Sequence, residues 1–400
     1  MKKIINNPAV CVPEMVDGLV RTYPQIIEQI PGTEAVVRSD KASMKGKVGI
    51  VSGGGSGHEP THAGFVGKGM LSAAVCGQVF TSPTPDQIYE AIKASDNGAG
   101  VFMVVKNYSG DVMNFDMAKD MAEMDDISVK SIVVDDDIAV ENSLYTQGRR
   151  GVAGTIFMHK ILGYYAQNGA SLDEIDEIAH VVLPNIKTIA VALSAATVPE
   201  VGRPGFELAE DEIEFGVGIH SEPGYRREKI QPSRALAAEL LEKLDEKLLL
   251  NKDKKYAMLV NGMGATPLME QYIFSHDVLD WLKEKEISPV FSKVGNFMTS
   301  LDMAGISLTL FELKDDEWLK ALKTKVDVSD LFALHLAVLL AHVMDRKKLN
   351  KNRKARASMW ITCLGISNSI IHNTLSNEPV DYELLVVQAI YAVEFSFDVS

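Results

Sequence analysis

The chain has 400 residues, of which 46% are hydrophobic, and a mean hydropathy of +0.03, so its composition is that of an ordinary globular protein. The formal net charge of −14 argues against nucleic acid as the main partner, because a phosphate backbone requires a basic surface. Three cysteines (Cys11, Cys76 and Cys363) are too few and too scattered for a disulfide framework or a zinc site.

The N-terminal residues 1–8 contain two lysines but no continuing apolar run. This pattern is not that of a signal peptide, and it indicates a cytoplasmic protein.

The first half of the chain alternates between strand-like and helix-like patterns. Apolar runs predict buried strands near 47–52, 71–76, 100–106 and 129–134. Amphipathic runs predict helices near 12–22, 86–95, 112–124 and 153–167. The alternation predicts an α/β domain with a parallel or mixed sheet.

A second α/β domain is predicted after a helix near 172–183, whose start carries a capping-box pattern of Ser171 and Glu174. Its strands are expected near 187–194, 213–220, 256–261, 288–294 and 306–313. A leucine-rich helix near 234–250 is typical of core packing. The sequence thus predicts two α/β domains with mixed sheets over 1–184 and 185–327, followed by a tail over 328–400.

A glycine-rich segment, VSGGGSGHEP, occupies residues 51–60 at the end of the first long strand. Glycine lets a ligand lie against bare main chain. We expect a helix to follow, with His58 and His62 at its start and facing the same space. Backbone N–H groups at such a helix N-terminus suit an anion, a carbonyl or a hydroxyl.

Two phosphate-binding motifs do not fit this segment. A triphosphate-binding loop needs a lysine after its last glycine, and none follows here. A dinucleotide-binding loop needs Gly-x-Gly-x-x-Gly and an acidic residue about 20 positions further on, and both are missing. The segment therefore favours a small ligand contacted by backbone and imidazole, while a plain turn between strand and helix stays an alternative.

Two further segments carry candidate site residues. Asp111 follows the predicted strand near 100–106 and opens a helix, where an aspartate is usually an N-cap worth about 1 kcal/mol. His220 leaves an apolar strand between two glycine clusters in FGVGIHSEPG. A lone histidine there is more often structural, but the glycines favour an open pocket lined by backbone.

The densest acidic run is Asp135, Asp136 and Asp137, directly after the strand near 129–134. Three adjacent carboxylates could bind a hard cation through oxygen ligands. A solvated or hydrogen-bonded loop is the more usual role, and it is the preferred interpretation.

Eight segments in order resemble one family: SGGGSGHEP, FTSPTPDQI, VVKNYSGDVMNF, VVDDDIAV, GRRGVAGT, EFGVGIHSEPG, NGMGATPL and TSLDMAG. Together they resemble the dihydroxyacetone-binding subunit of the bacterial, phosphotransferase-linked dihydroxyacetone kinase, in which the subunits are separate chains. The resemblance covers about residues 1–326.

The resemblance implies a role for each candidate residue. His220 would form a covalent hemiaminal with the ketone carbon of the sugar, which explains the rejection of glycerol because glycerol has no carbonyl. His58 would hydrogen-bond and polarise the sugar, and Asp111 would be the general base toward the hydroxyl that accepts phosphate. Gly55 and Lys106 would line the sugar. Since His58 and His220 each follow a strand, one per domain, the site is expected at the domain junction.

The resemblance also implies the partners. No cofactor or metal is expected on this chain. ADP and Mg²⁺ would be bound by a separate kinase subunit, which a phosphotransferase-system protein rephosphorylates, and the chain would be a homodimer with no membrane association. The alternative is a paralogue that senses dihydroxyacetone and co-activates a transcription regulator. A stand-alone ATP-dependent kinase is disfavoured, because the aspartate-rich magnesium loop is missing.

The tail departs from the resemblance. Its apolar stretch at 331–344 is too short to span a bilayer, and residues 346–356 contain seven basic residues in eleven. Three interpretations compete: a small helical appendage, an interaction segment that uses the basic run, and out-of-frame coding after a lesion near residue 326. The last two are preferred equally.

Overall fold

The computed structural model describes residues 2–141, 146 and 148–329. All interpretations of the tail fall on 330–400 and lie outside the described residues. The described part of the chain belongs to one compact unit that contains two six-stranded sheets and a short two-stranded one.

The first half of the chain forms the strands β1 (Ile27–Gln29), β2 (Ala35–Arg38), β3 (Gly49–Ser56), β4 (Gly67–Lys68), β5 (Ala73–Val79), β6 (Val101–Lys106) and β7 (Val129–Val134). All of them except β4 belong to the first sheet, which is mixed and has the order β1-β2-β5-β3-β6-β7. The neighbours β5, β3, β6 and β7 are parallel, whereas the pairs β1–β2 and β2–β5 are antiparallel. Strands β3 and β6 are buried along their whole length, as expected for a sheet covered on both faces.

Helices cover both faces of this sheet. On one face, α2 (Pro85–Ser95) and α3 (Ser109–Met124) pack Ile88, Ile92 and Phe115 against Val51 and Met103. On the other face lie α1 (Cys11–Thr22), α4 (Thr155–Gln167) and α5 (Leu172–Val182). Helix α4 is buried almost all round because it also contacts the second sheet: the ring centroids of Phe157 and Phe311 are 5.4 Å apart.

The second sheet contains the strands β8 (Ile186–Ala192), β9 (Glu212–Phe215), β10 (Arg226–Lys229), β11 (Lys255–Gly262), β12 (Phe291–Gly295) and β13 (Gly305–Leu313). Its order is β10-β9-β8-β13-β11-β12, and it is antiparallel except for the pair β11–β12. Helices α6 (Ser233–Leu248) and α7 (Leu268–Glu284) pack on its outer face. After α8 (Asp316–Lys323), strand β14 (Asp327–Val328) returns to pair with β4.

The predicted fold class, α/β with mixed sheets, is confirmed. The capping box at Ser171 and Glu174 is present as predicted. The division into domains at residue 184 stays a prediction, because the residues around α4 form one hydrophobic cluster with members from both sheets.

The expected helix after the glycine-rich segment is wrong. Gly53 to Ser56 extend strand β3, and the chain then passes through turns to a short 3₁₀ segment, Ala63–Phe65. Proline disfavours the helical conformation in the residue before it, and Pro60 follows Glu59 in this turn. Gly53 serves close strand packing, since a Cβ at this position would lie 2.7 Å from the carbonyl oxygen of Val75.

Two other local expectations are also wrong. Asp111 is not an N-cap, because α3 begins at Ser109 after Tyr108 and Asp111 lies inside the first turn. The strand predicted over 213–220 ends at Phe215, where Gly216 takes a φ of +74° and turns the chain into a loop. His220 therefore belongs to a loop and not to a strand.

Candidate functional site

His220 lies in the loop between β9 and β10, and Glu222 from the same loop holds it. The His220 Nδ1 atom is 3.0 Å from Glu222 Oε1, and the backbone N–H of His220 donates to the other carboxylate oxygen. Glu222 is 2% exposed. Burial alone would raise the pKa of Glu222, but the charges of His220 and Arg150 and the hydrogen bond from His220 hold it below its ordinary value. In the neutral form of His220, the ionised Glu222 accepts from Nδ1–H, and the lone pair then lies on Nε2.

His58 follows β3 and is fully buried. Its Nδ1 atom lies 2.7 Å from the carbonyl oxygen of Thr299, and since a carbonyl only accepts, Nδ1 is the donor. Burial, and then the positive charges of Lys106 and His220, hold the pKa of His58 well below its ordinary value. His58 is therefore neutral, with a free lone pair on a buried Nε2 atom that has no hydrogen-bond partner.

Aromatic rings frame the two histidines. The imidazole centroids of His58 and His220 are 4.8 Å apart at an angle of 73°. Phe80 stacks on His58 at 5.1 Å and meets His220 edge-on at 5.2 Å, and the ring of Tyr108 lies 4.5 Å from that of His220. Sequence reasoning assigned no role to Phe80 or Tyr108, although both lie within the segments that carried the resemblance.

Lys106 and Asp111 carry opposite charges, and both side chains lie close to Gly54 in β3. Lys106 ends β6 and is fully buried, whereas Asp111 in the first turn of α3 is 3% exposed. A Cβ on Gly54 would lie 3.0 Å from Lys106 Nζ and 3.5 Å from Asp111 Oδ2, so both side chains approach the bare backbone of β3. Burial raises the pKa of Asp111, opposed by Lys106 and by a hydrogen bond from Ser82. Burial lowers the pKa of Lys106, opposed mainly by Asp111.

Gly55 shapes the site by close backbone approach. A Cβ at this position would lie 2.6 Å from the backbone nitrogen of Thr81 and 2.8 Å from Cα of Phe80. Only a residue without a side chain lets β3 come this near to the turn that carries Phe80.

Four buried polar atoms around these rings have no hydrogen-bond partner: His58 Nε2, Lys106 Nζ, Tyr108 Oη and Asp111 Oδ1. An unsatisfied buried polar group costs about 1–3 kcal/mol, and such groups are rare in folded proteins. Lys106 Nζ lies 5.6 Å from the centroid of the Tyr108 ring, which in turn contacts His220. The arrangement suits a small ligand that offers several hydroxyl or carbonyl groups.

The structure does not place His62 beside His58 and His220. Instead, its Nδ1 atom lies 2.8 Å from His159 Nε2 and 3.2 Å from Ser52 Oγ. Burial lowers the pKa of both histidines, that of His159 to about 3, so the pair is neutral.

The acidic run lies in a hydrogen-bonded loop, the preferred interpretation, although two of its three members are buried and only Asp135 is exposed. Asp136 accepts from the backbone nitrogens of Val152 and Gly154 and from Thr188 Oγ1. Asp137 pairs with Arg150. Among the described residues, no group of three or more His, Cys, Asp or Glu side chains could hold a metal ion.

The site combines elements of both sheets. His58, Lys106 and Asp111 belong to the first sheet and its helices, whereas His220 and Thr299 follow strands of the second. No helix within the described ranges is long and apolar enough to cross a membrane.

Comparison with known proteins gives the family. The model of the Dak1 domain matches residues 17–330, and the chain belongs to this family. It is 64% identical over 325 residues to the Lactococcus lactis protein named PTS-dependent dihydroxyacetone kinase, dihydroxyacetone-binding subunit DhaK. That match covers 81% of this chain and 97% of the relative. The resemblance predicted from the sequence is confirmed.

Two other relatives are informative. The DhaKLM operon coactivator DhaQ of L. lactis is 46% identical over 319 residues, which cover 79% of this chain and 96% of that protein. The crystal structure of the dihydroxyacetone kinase from C. freundii, in complex with AMP-PNP and Mg²⁺, is 34% identical with a TM-score of 0.74. The match covers 82% of this chain and 60% of that one.

Proposed function

We propose that this chain is the dihydroxyacetone-binding subunit of a phosphotransferase-dependent dihydroxyacetone kinase. The observation that carries the proposal is the bond from His220 Nδ1 to buried Glu222, which leaves Nε2 as a nucleophile beside unpartnered polar groups. The identity of 64% to a named subunit of this kind supports it.

Capture of the sugar is an addition to its ketone. His220 Nε2 forms a bond to the carbonyl carbon, the π electron pair moves to the oxygen, and the resulting alkoxide takes up a proton. His220 Nδ1 gives its proton to the Glu222 carboxylate, which releases it to solvent, and the alkoxide takes its proton from solvent, so no net proton is gained or lost and the product is a neutral hemiaminal. No atom of the sugar is lost, and the reaction needs no other reagent.

His58 orients the captured sugar. Because its Nδ1–H is committed to Thr299 and its ring is neutral, Nε2 accepts a hydrogen bond from a sugar hydroxyl. This geometry favours acceptance over the polarisation of a carbonyl by donation that the resemblance implied. Tyr108, whose pKa burial raises well above its ordinary value, keeps its proton and can donate. Gly55 and Lys106 line the sugar beside them.

Asp111 is the general base toward the terminal hydroxyl. Burial raises the pKa of its carboxyl, which makes the carboxylate a better proton acceptor, while Lys106 keeps it ionised. Phosphoryl transfer depends mainly on positioning and charge stabilisation, so acceptor and donor can lie on two docked proteins.

The phosphoryl donor is proposed to be a separate subunit that binds ADP and Mg²⁺ and is rephosphorylated by a phosphotransferase-system protein. The C. freundii kinase solved with nucleotide is longer than the part that this chain covers, which supports a nucleotide site elsewhere. We also propose that the chain forms a homodimer and that the sugar site lies between domains 1–184 and 185–327.

A second candidate function is that of a coactivator, a non-enzymatic paralogue that senses dihydroxyacetone. The 46% identity to the coactivator DhaQ supports this second candidate function. A sensor needs His220 for capture but has no use for a general base, so the retained Asp111 supports the enzyme.

A coupled assay for dihydroxyacetone phosphate, with the partner subunit and its phosphotransferase donor supplied, tests the proposal. Turnover that requires both this chain and the partner supports the enzyme. A sugar adduct on His220 without turnover supports the coactivator. ATP-dependent phosphorylation by this chain alone contradicts both.

A further inference from the structure

Arg150 is the largest fully buried side chain of the described residues and lies in the loop that precedes α4. Its Nε atom donates to Asp137 Oδ2 at 2.7 Å, and its Nη2 atom contacts the same oxygen at 2.6 Å. Nη2 also donates to the carbonyl oxygen of Gly216, at the start of the loop that carries His220. Two of the three guanidinium nitrogens are thus fixed.

The third nitrogen faces Glu222. Arg150 Nη1 is buried and has no hydrogen-bond partner. A Cβ on Gly218 would lie 2.7 Å from Nη1 and would overlap the Glu222 carboxylate, so both groups crowd the bare Cα of Gly218. The guanidinium therefore acts on Glu222 through its charge and not through a direct bond.

We infer that Arg150, held by Asp137, is a positioning residue that keeps Glu222 ionised and so keeps the lone pair of His220 on Nε2. The inference rests on the proposed function, because capture of the sugar is the reaction that depends on this lone pair. An isolated carboxylate that is 2% exposed would favour its neutral form, whose O–H can donate to Nδ1 and so place the proton of the ring on Nε2.

Several charged and titratable groups act on the Glu222 carboxylate. The positive groups are His220, Arg150 and Lys106, and the negative charge of Asp137 opposes them, whereas Tyr108 keeps its proton and adds no charge. Arg150 and Asp137 consequently have opposite effects: loss of the guanidinium favours protonation of Glu222, whereas loss of the Asp137 charge disfavours it.

Adduct formation depends on pH through the ionisation of Glu222. The pKa of Glu222 is lowered, so the competent ionised form exists above that pKa and is lost as the pH falls through it. The acid limb is the low-pH side of the curve that relates the rate of adduct formation to pH. Arg150→Met should move this limb to higher pH, and Asp137→Asn should move it to lower pH. The limb belongs to the coupled His220–Glu222 pair and not to either group alone.

The experiment uses the full 400-residue chain and follows the rate of dihydroxyacetone addition to His220 by intact-mass and peptide mass spectrometry from pH 4 to pH 9. Arg150→Lys retains the charge and should keep the wild-type acid limb. The matched control is Arg38→Met, which removes a guanidinium that is also buried, 4% exposed, and paired with Asp40 away from the site. That variant should lose stability without moving the limb.

Opposite shifts in Arg150→Met and Asp137→Asn support the inference, because general destabilisation cannot produce opposite signs. An unmoved limb in either variant, or an equal shift in Arg38→Met, overturns it. If Arg150→Met does not fold, Asp137→Asn and Arg150→Lys still decide. Absence of any adduct in the wild-type chain would instead overturn the proposed function.

Discussion

His58 and His220 both engage Nδ1 in a hydrogen bond and both leave Nε2 free, and the two rings lie side by side. In each ring Nδ1 is hydrogen-bonded to an acceptor, Thr299 O in one case and Glu222 Oε1 in the other, and the ring centroids are 4.8 Å apart. Each Nε2 is therefore left with a lone pair, and the two differ in their surroundings: His58 is fully buried, whereas the His220 side chain is 17% exposed. We assign nucleophilic attack to the more accessible ring and orientation to the buried one.

Glu222→Gln should slow formation of the sugar adduct by about 10²–10⁴-fold, because an amide accepts the Nδ1 proton poorly during attack. The rate is measured by mass spectrometry at pH 7. The control is Glu312→Gln, which alters a glutamate on the second sheet that is 9% exposed and paired with Lys254. Equal slowing in both variants would show that Glu222 acts only through stability.

Asp111→Asn should abolish turnover in the coupled assay and leave the covalent adduct detectable, since the proposed general base acts after capture. Asp116→Asn, on the exposed face of the same helix, should retain full turnover. Loss of the adduct in the Asp111 variant would mean that this carboxylate helps to bind the sugar and is not only the base.

Gly55→Ala should destabilise the fold by about 1–3 kcal/mol and weaken sugar capture, because the new methyl group forces the turn at Phe80 and Thr81 away. Gly18→Ala makes the same chemical change on α1, where nothing lies within 4 Å of the added atom. It should stabilise by about 0.5–1 kcal/mol. Denaturant unfolding measures both, and a neutral effect at Gly55 would contradict the close approach.

Ionisation of the buried Asp136 carboxyl group should lower the free energy of unfolding as the pH rises from about 4 to about 6. Burial raises its pKa from 3.8 to about 6, so over this range the folded state binds a proton that the unfolded state has released. Stability falls through that window by about 3 kcal/mol for this one group. Asp136→Asn should lack this part of the pH dependence, as measured by unfolding at pH 4, 5 and 6.

The exposed neighbour Asp135 provides the control for that measurement. Asp135→Asn should keep the slope of the wild-type chain. An Asp136→Asn variant with an unchanged slope would show that its hydrogen bonds to Val152, Gly154 and Thr188 outweigh its burial.

The fold was largely predictable, because long buried strands such as β3 and β6 are continuous apolar runs and helices such as α5 carry explicit start signals. The short strands β1 and β10 gave no such signal, and the exposed apolar residues of α7, Leu268 and Tyr272 among them, obscured its amphipathic pattern. The helix wrongly expected after Ser56 shows that glycine content alone does not distinguish a ligand-binding turn from tight packing of strands.

The candidate site was only partly predictable. The resemblance supplied His58, Asp111 and His220, but the sequence could not show which ring nitrogen each histidine leaves free. That property depends on Thr299 and Glu222, one of them 241 positions away in the chain. The roles of Phe80 and Arg150 also follow from contacts between segments that are distant in sequence.

The central claim is that His220 Nε2 captures a ketone, and the most direct test is mass spectrometry of the full chain incubated with dihydroxyacetone or with glycerol. We predict an adduct with the whole mass of dihydroxyacetone, without loss of water, located on His220. It should be absent with glycerol and in His220→Ala, and retained in His276→Ala, which alters an exposed histidine. No adduct, or one that persists without His220, would contradict the account.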